Sequence, residues 1–278
     1  MSECYRKYFF INNLVKSSTE FDDNILAKGK SLYDVVLVKN SIPLFLQKYL
    51  MRICRTAKLE GVQLWLSNDE IKNKILDLIK INEIEEDSLK IVFSFGNDFF
   101  GQKENIFLAY MMVNNAPTVE QFKIGVETIS YSAERQNPHA KVFNFNLRTK
   151  ISELINQKNI YEVILVDNKG FITEGSRSNL FFIKDKIVYT TIIDSVLPGI
   201  TRENIIEVCT KNKIEILETK VKYDDLIYFD SVFMTGTSRK VLPINKIDDL
   251  KFNTENLILR QIQNLYDIEI QRYINLHK

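Results

Sequence analysis

The chain has 278 residues, 45% of them hydrophobic and 26% charged, enough to bury a sizeable core and more than a domain of ordinary size holds. Thirty-seven Lys and Arg against thirty-six Asp and Glu leave a formal net charge of +1, so no global field draws the protein to nucleic acid or anionic lipid. Three scattered cysteines make neither a disulfide framework nor a CxxC site, and two histidines do not compose a multi-histidine metal site. With no apolar run near the roughly 20 residues of a membrane helix, the composition reads as a cytoplasmic protein with reduced thiols and no metal.

In chain order, aromatic Tyr8 to Ile11, the Asn12-Asn13 turn and Leu14-Val15 predict a hairpin. A strand over Leu32 to Val38 runs into the turn Lys39-Asn40-Ser41. Apolar residues then recur at Leu46, Leu50, Ile53, Cys54 and Ala57 with helical spacing. Ser67 and Glu70 form a capping box ahead of a second helix carrying Ile71, Ile75, Leu78 and Ile79. Strands are predicted over Leu89 to Phe95, Ile106 to Val113 and Ile124 to Ser132, with Asn115-Ala116-Pro117 breaking the chain between the last two.

After Arg135-Gln136-Asn137-Pro138 comes a helical stretch, Leu147 to Asn156, then strands over Val163 to Asp167, Leu180 to Ile183 and Ile187 to Thr190. A helix over Arg202 to Asn212 follows Pro198-Gly199. Strands over Ile214 to Leu217 and Val232 to Thr235 precede a long C-terminal helix from about Asn253. The mixture lacks strict strand–helix alternation, so the expected class is α+β. The expected division is a small N-terminal α/β domain over residues 1–120, a connection over 121–135 and a larger C-terminal domain over 136–278.

Glycine is scarce at nine residues, and Gly175, Gly199 and Gly236 each fall beside small or hydroxylated residues at predicted element ends. Leu197-Pro198-Gly199-Ile200-Thr201-Arg202 puts backbone N–H groups and a hydroxyl at a helix start, an arrangement suited to phosphate. Thr235-Gly236-Thr237-Ser238 after a strand could form a second anion nest. Each alone also reads as an ordinary capped turn. Glu174-Gly175-Ser176-Arg177-Ser178-Asn179 adds a carboxylate, two hydroxyls and an amide in one turn, and Lys141 lies among apolar neighbours 33 positions earlier (174 − 141). A lone lysine usually means solvated charge.

Taken together, these segments resemble the class IV, or fold-type IV, pyridoxal-phosphate aminotransferases, a family that includes branched-chain and D-amino-acid aminotransferases and aminodeoxychorismate lyases. The resemblance is closest from Asn137 to Pro243. There a Schiff-base lysine, a Glu-Gly-Ser-x-Ser-Asn-like segment, Leu-Pro-Gly-Ile-Thr-Arg and a Gly-Thr-Ser-like turn before a proline occur in order and at the family's spacing. A weaker match over Pro43 to Ala57 sets Arg52 at the place of a phosphate-binding arginine, with Tyr49 where a histidine is usual.

The resemblance implies a two-domain fold of mixed sheets with flanking helices, pyridoxal 5'-phosphate as cofactor and no metal, and a homodimer acting on an amino acid and a keto acid. It implies Lys141 as the catalytic lysine and Glu174 as partner of the pyridine nitrogen. Arg52, Ser178, Asn179, Gly199, Ile200, Thr201, Gly236, Thr237 and Ser238 would complete the cofactor site. Tyr33, Tyr110 and Arg148 are candidates for the substrate by location. The family's tyrosine shortly after the lysine is replaced by Val142-Phe143-Asn144-Phe145-Asn146, which offers no phenolic hydroxyl. His139, two positions from Lys141 and so on the same side of an extended strand, reads as a satisfied loop histidine, with a hydrogen bond supporting the lysine site as the alternative. The expected activity is transamination, with an aminodeoxychorismate-lyase-type elimination or a non-catalytic pyridoxal-phosphate-binding protein as alternatives.

Overall fold

A computed structural model describes residues 2–27, 30–99, 102–113, 116–135, 137–142 and 145–278. Asn115, Gln136, Phe143 and Asn144, named above, lie outside the described residues, and the side chains of Phe145 and Asn146 are likewise not described. The chain forms two compact units. One comprises Met1–Asn115, Ala140–Phe143 and Arg272–Lys278, and the other Ala116–His139 and Asn144–Gln271.

The first unit is built on strands β1 (Tyr8–Ile11), β2 (Leu14–Ser17), β3 (Lys30–Lys39), β4 (Ile42–Pro43), β5 (Glu86–Phe99) and β6 (Gln102–Met112). They form an antiparallel sheet in the order β2-β1-β6-β5-β3-β4. Asn12, at φ 52°, turns the β1–β2 hairpin, a left-handed conformation that asparagine tolerates. Two helices follow β4. Helix α1 (Leu46–Leu59) buries Leu46, Tyr49, Leu50, Ile53 and Ala57, the stripe that its sequence spacing predicts. Helix α2 (Asn68–Ile81) starts at Ser67, whose hydroxyl accepts from the Glu70 N–H while Glu70 accepts from the Ser67 N–H, and it buries Ile71, Ile75, Leu78 and Ile79. A separate apolar cluster of Cys4, Phe9, Val92, Ile106, Leu108 and Tyr110 forms a core within this unit.

The second unit carries a mixed sheet of strands β7 (Val126–Ser132), β8 (Glu162–Val166), β9 (Phe171–Gly175), β10 (Asn179–Lys184), β11 (Ile187–Thr191), β12 (Ile216–Thr219), β13 (Val221–Lys222), β14 (Ser231–Gly236), β15 (Lys240–Ile247) and β16 (Leu250–Lys251). Their order is β12-β11-β10-β14-β15-β7-β8-β9-β13, with β16 paired to β15. The β7–β8, β7–β15 and β11–β12 pairs are parallel. Helices α3 (Val119–Ile124), α4 (Phe145–Lys158), α5 (Ile200–Lys211) and α6 (Leu257–Leu276) complete it, although α6 runs past Gln271 into residues counted with the first unit. The core gathers Val126, Ile164, Ile172, Leu180, Phe182, Val232, Met234, Leu242 and Ile244.

Several expected boundaries move. The strand expected from Ile124 starts at Val126, because Thr118 and Gln121 form a capping box that starts α3, and Gly125 at φ 80° ends it. Strand β12 starts at Ile216 rather than Ile214, since the Lys213 turn at φ 56° leads the Ile214 N–H back to the Cys209 carbonyl. Helix α6 begins at Leu257, where Asn256 Oδ1 accepts from the N–H groups of Ile258 and Leu259. Strands β9 and β15, which flank the glycine turns, lie beyond the segments that the sequence pattern predicts as strand.

Candidate active site

Within the second unit, three of the motifs meet around one stretch of backbone. Glu174, 2% exposed near the end of β9, accepts from the Leu197 N–H through Oε2 at 3.1 Å. Asn179, which opens β10, donates from Nδ2 to the Leu197 carbonyl at 2.9 Å. Both ends of the Glu174-to-Asn179 turn are therefore tied to the residue that leads into α5. Gly199 is the N-cap of that helix and has no side chain with which to cap it; Ile200 and Thr201, both buried, form its first turn. A Cβ at Gly199 would fall 2.0 Å from Asn179 Oδ1, so this approach requires glycine sterically.

The third motif joins through the sheet. Asn179 pairs with Thr235 across β10 and β14, and Gly236 sits opposite Lys240 in the hairpin to β15, with Thr237 and Ser238 at its tip. A Cβ at Gly236 would lie 3.5 Å from the Arg177 carbonyl, which places the two turns side by side. Ser178 Oγ and Thr235 Oγ1 are buried and have no hydrogen-bond partner among the described residues. Burying a hydroxyl unpaired is costly, so each marks a point that a polar ligand group could satisfy.

Glu174 has a second partner that its sequence neighbourhood does not announce. Arg135 Nε lies 3.0 Å from Glu174 Oε1, and an Nη of the same guanidinium donates to the Ser176 carbonyl at 3.0 Å. Beneath the turn, the Ser176 hydroxyl donates to the fully buried Glu162, which also pairs with Arg239 at 3.3 Å.

In the first unit the sequence-selected residues collect on β3. The Tyr33 N–H donates to the Lys141 carbonyl at 3.2 Å, and the Lys141 N–H to Thr56 Oγ1 at 3.4 Å. Lys141 Nζ stands 5.2 Å from the centre of the Tyr33 ring. One position further along β3, Asp34 takes the Arg52 guanidinium in a fork: Nε to Oδ2 at 2.9 Å and Nη2 to Oδ1 at 2.6 Å. Burial opposes the Arg52 charge, but Asp34, with Tyr49 and Tyr33, outweighs it and raises the guanidinium above its ordinary range.

The remaining polar and aromatic residues named by the sequence, or lying in these turns, make contacts of their own. Tyr110 is fully buried, its hydroxyl donates to Glu3 at 2.9 Å, and burial followed by the Glu3 charge raises that phenol well above its usual range. It offers no surface to a substrate. Arg148 is half-buried on α4. Arg177 donates to Ser152 at 3.1 Å, and His139 Nε2 hydrogen-bonds the Ile193 carbonyl at 2.9 Å. Sequence reasoning missed Asp34 and Arg135, since neither lies in a motif and both act through contacts distant in sequence. It named Thr235 within the Thr-Gly-Thr-Ser nest without giving its hydroxyl a separate role.

Comparison with known proteins places this arrangement. The family model described as amino-transferase class IV matches residues 31–247. D-alanine aminotransferase of Bacillus licheniformis is 27% identical over 252 residues, covering 87% of this chain and 88% of the relative. The branched-chain amino acid aminotransferase of Escherichia coli has a similar fold, with TM-score 0.84 and 21% identity over 94% of this chain and 93% of that one. So does the branched-chain amino acid aminotransferase of Thermobaculum terrenum in its PLP form, with TM-score 0.84 and 20% identity over 99% and 98% of the two chains.

Proposed function

This chain belongs to the class IV aminotransferase family, and from that we propose that it uses pyridoxal 5'-phosphate to move an amino group between an amino acid and a 2-keto acid. The observation that carries the reading is the convergence of Glu174 and Asn179 on the Leu197 backbone, with Asn179 closely packed against Gly199. These residues fit the group. A buried carboxylate suits a ring nitrogen, and the entry to α5 and the Thr237 hydroxyl suit a phosphate. Gly175 and Gly199 let the turn's own side chains close in: a Cβ at Gly175 would meet Ser178 Oγ at 2.1 Å and one at Gly199 would meet Asn179 Oδ1 at 2.0 Å.

When bound, the cofactor supplies an electron-withdrawing ring that stabilises negative charge at the substrate Cα. The protein's own residues hold and move protons. Lys141 would hold the cofactor covalently through its neutral amine and, once the substrate amine has displaced it, would be free to carry a proton to and from the substrate Cα. Glu174, as an anion, keeps the ring nitrogen protonated. The Ile200 and Thr201 N–H groups and the Thr237 hydroxyl would hold the phosphate; the family resemblance also gives Arg52 this task, and its Nε and Nη2 are held by Asp34. Gly236 and Ser238 shape the adjoining turn, and Tyr33, stacked under the Lys141 amine, borders the substrate. A small N-terminal α/β domain, a larger C-terminal cofactor-binding domain, cytoplasmic residence and a homodimer belong to the same reading.

The test is visible absorption of the purified chain with pyridoxal 5'-phosphate. The expected result is a band that Lys141→Ala abolishes, that particular L- or D-amino acids bleach, and that a 2-keto acid restores. A band bleached by amines but restored by no keto acid in a broad panel would overturn transamination and favour the elimination reaction. No band at all would overturn the cofactor assignment.

A further inference from the structure

Glu174 is a buried carboxylate, and burial alone favours its protonated form, in which it could not keep a ring nitrogen charged. One hydrogen bond and one ion pair oppose that. The Leu197 N–H occupies Oε2 and the Arg135 guanidinium lies on Oε1. Arg135 is 24% exposed at the side chain, so it keeps part of its hydration while its Nε faces a carboxylate that is 3% exposed. We propose that Arg135 is a positioning residue that holds Glu174 ionised and oriented toward the ring nitrogen of the cofactor. The proposal rests on the pyridoxal-phosphate reading above and assigns a task to a residue outside every motif.

The geometry separates this task from merely bracing the turn. The Ser176 N–H donates to the Val163 carbonyl at 2.9 Å, the Gly175 N–H to the Ser178 carbonyl at 2.8 Å, and the Ser176 hydroxyl to Glu162, which Arg239 neutralises. The turn is thus held from below without Arg135. What Arg135 adds is one guanidinium spanning the Glu174 carboxylate and the Ser176 carbonyl two residues on, which fixes the carboxylate relative to the backbone of its own turn. A planar fork does this and an ammonium does not.

The experiment measures equilibrium binding of pyridoxamine 5'-phosphate, and of its 1-deaza analogue with carbon in place of the ring nitrogen, to the full chain freed of cofactor. The variants are Arg135→Gln, Arg135→Lys and Glu174→Gln, each checked for an unchanged thermal transition. The wild type should prefer the nitrogen-bearing ligand. Arg135→Gln should weaken that ligand roughly tenfold, as expected for loss of one charge-assisted contact, and leave the analogue unchanged. Arg135→Lys should fall between, and Arg135→Gln should add nothing in the Glu174→Gln background. Equal weakening of both ligands, or an undiminished Arg135→Gln effect without the Glu174 carboxylate, would reduce Arg135 to a structural contact and overturn the proposal. Failure of the wild type to bind either ligand would instead overturn the cofactor reading, and the proposal with it.

Discussion

At the scale of single residues, the chain's buried ion pairs decide most. Asp34 and Arg52 are 0% and 3% exposed at the side chain and joined by two hydrogen bonds, so neither can recover water if the other is lost. Removing the anion alone deprives a buried guanidinium of its carboxylate, which costs about 3 kcal/mol. Asp34→Asn should therefore lower the urea midpoint by that equivalent, and a change below about 1 kcal/mol would show that solvent reaches Arg52. Gly199 makes a different kind of demand. Its φ of −70° suits any residue, so the objection to alanine is the Asn179 amide alone. Gly199→Ala should be destabilising in the native background and nearly neutral beside Asn179→Ala, a coupling that a double-mutant cycle of unfolding free energies reads directly. Equal costs in both backgrounds would contradict the steric account.

At the scale of elements, what could be read in advance depended on how local its cause is. The capping box at Ser67, the apolar stripe of α1 and the glycine turns at Gly175, Gly199 and Gly236 each follow from residues within a few positions of one another, and local chemistry places them. Helix α3 was legible by the same rule, since Thr118 and Gln121 have box spacing, but the β-prone residues after it drew the strand forward to Ile124. Strand β15 was hidden by Pro243, which does not read as a central strand even though β15 lies between β14 and β7. Asp34 opposite Arg52 and Arg135 opposite Glu174 were not legible at all, because a charge partner 18 or 39 residues away (52 − 34 and 174 − 135) is chosen by the tertiary fold. Tyr110 looked available because an aromatic in a strand has no sequence mark for which face is buried. Thr118→Ala should cost about 1 kcal/mol of unfolding free energy by removing the acceptor of the Gln121 N–H. No change would mean that α3 is held by its packing on β15 and not by its cap.

At the scale of the whole molecule, the chain moves from one compact unit to the other after Asn115, back at Ala140, away after Phe143 and back again at Arg272. Neither unit is contiguous, so the first needs the C-terminal end of α6. Tyr273 stacks on His277 with ring centres 3.9 Å apart and packs on Phe45 at 4.6 Å, and Ile274 is fully buried. Each unit also carries its own reporter. Cys4 in the first and Cys209 in the second are buried, and burial, aided at Cys4 by Asp23 and Glu3, pushes both thiols up to about 12. Folded, they hold their protons more tightly than unfolded. Their contribution to stability is therefore fully present below the ordinary thiol range and is lost as pH rises toward 12, so the urea midpoint should fall across that window. At about pH 8 the folded thiols are thiolate in only roughly one molecule in ten thousand, and alkylation should report unfolding, with exposed Cys54 as the thiol labelled in the native state. Truncation after Gln271 should then bring Cys4 into reaction at lower urea while leaving the transition at Cys209 in place. If both thiols shift together, the two units unfold as one cooperative body. If neither shifts, the Phe45–Tyr273–His277 stack contributes nothing to the first unit's stability.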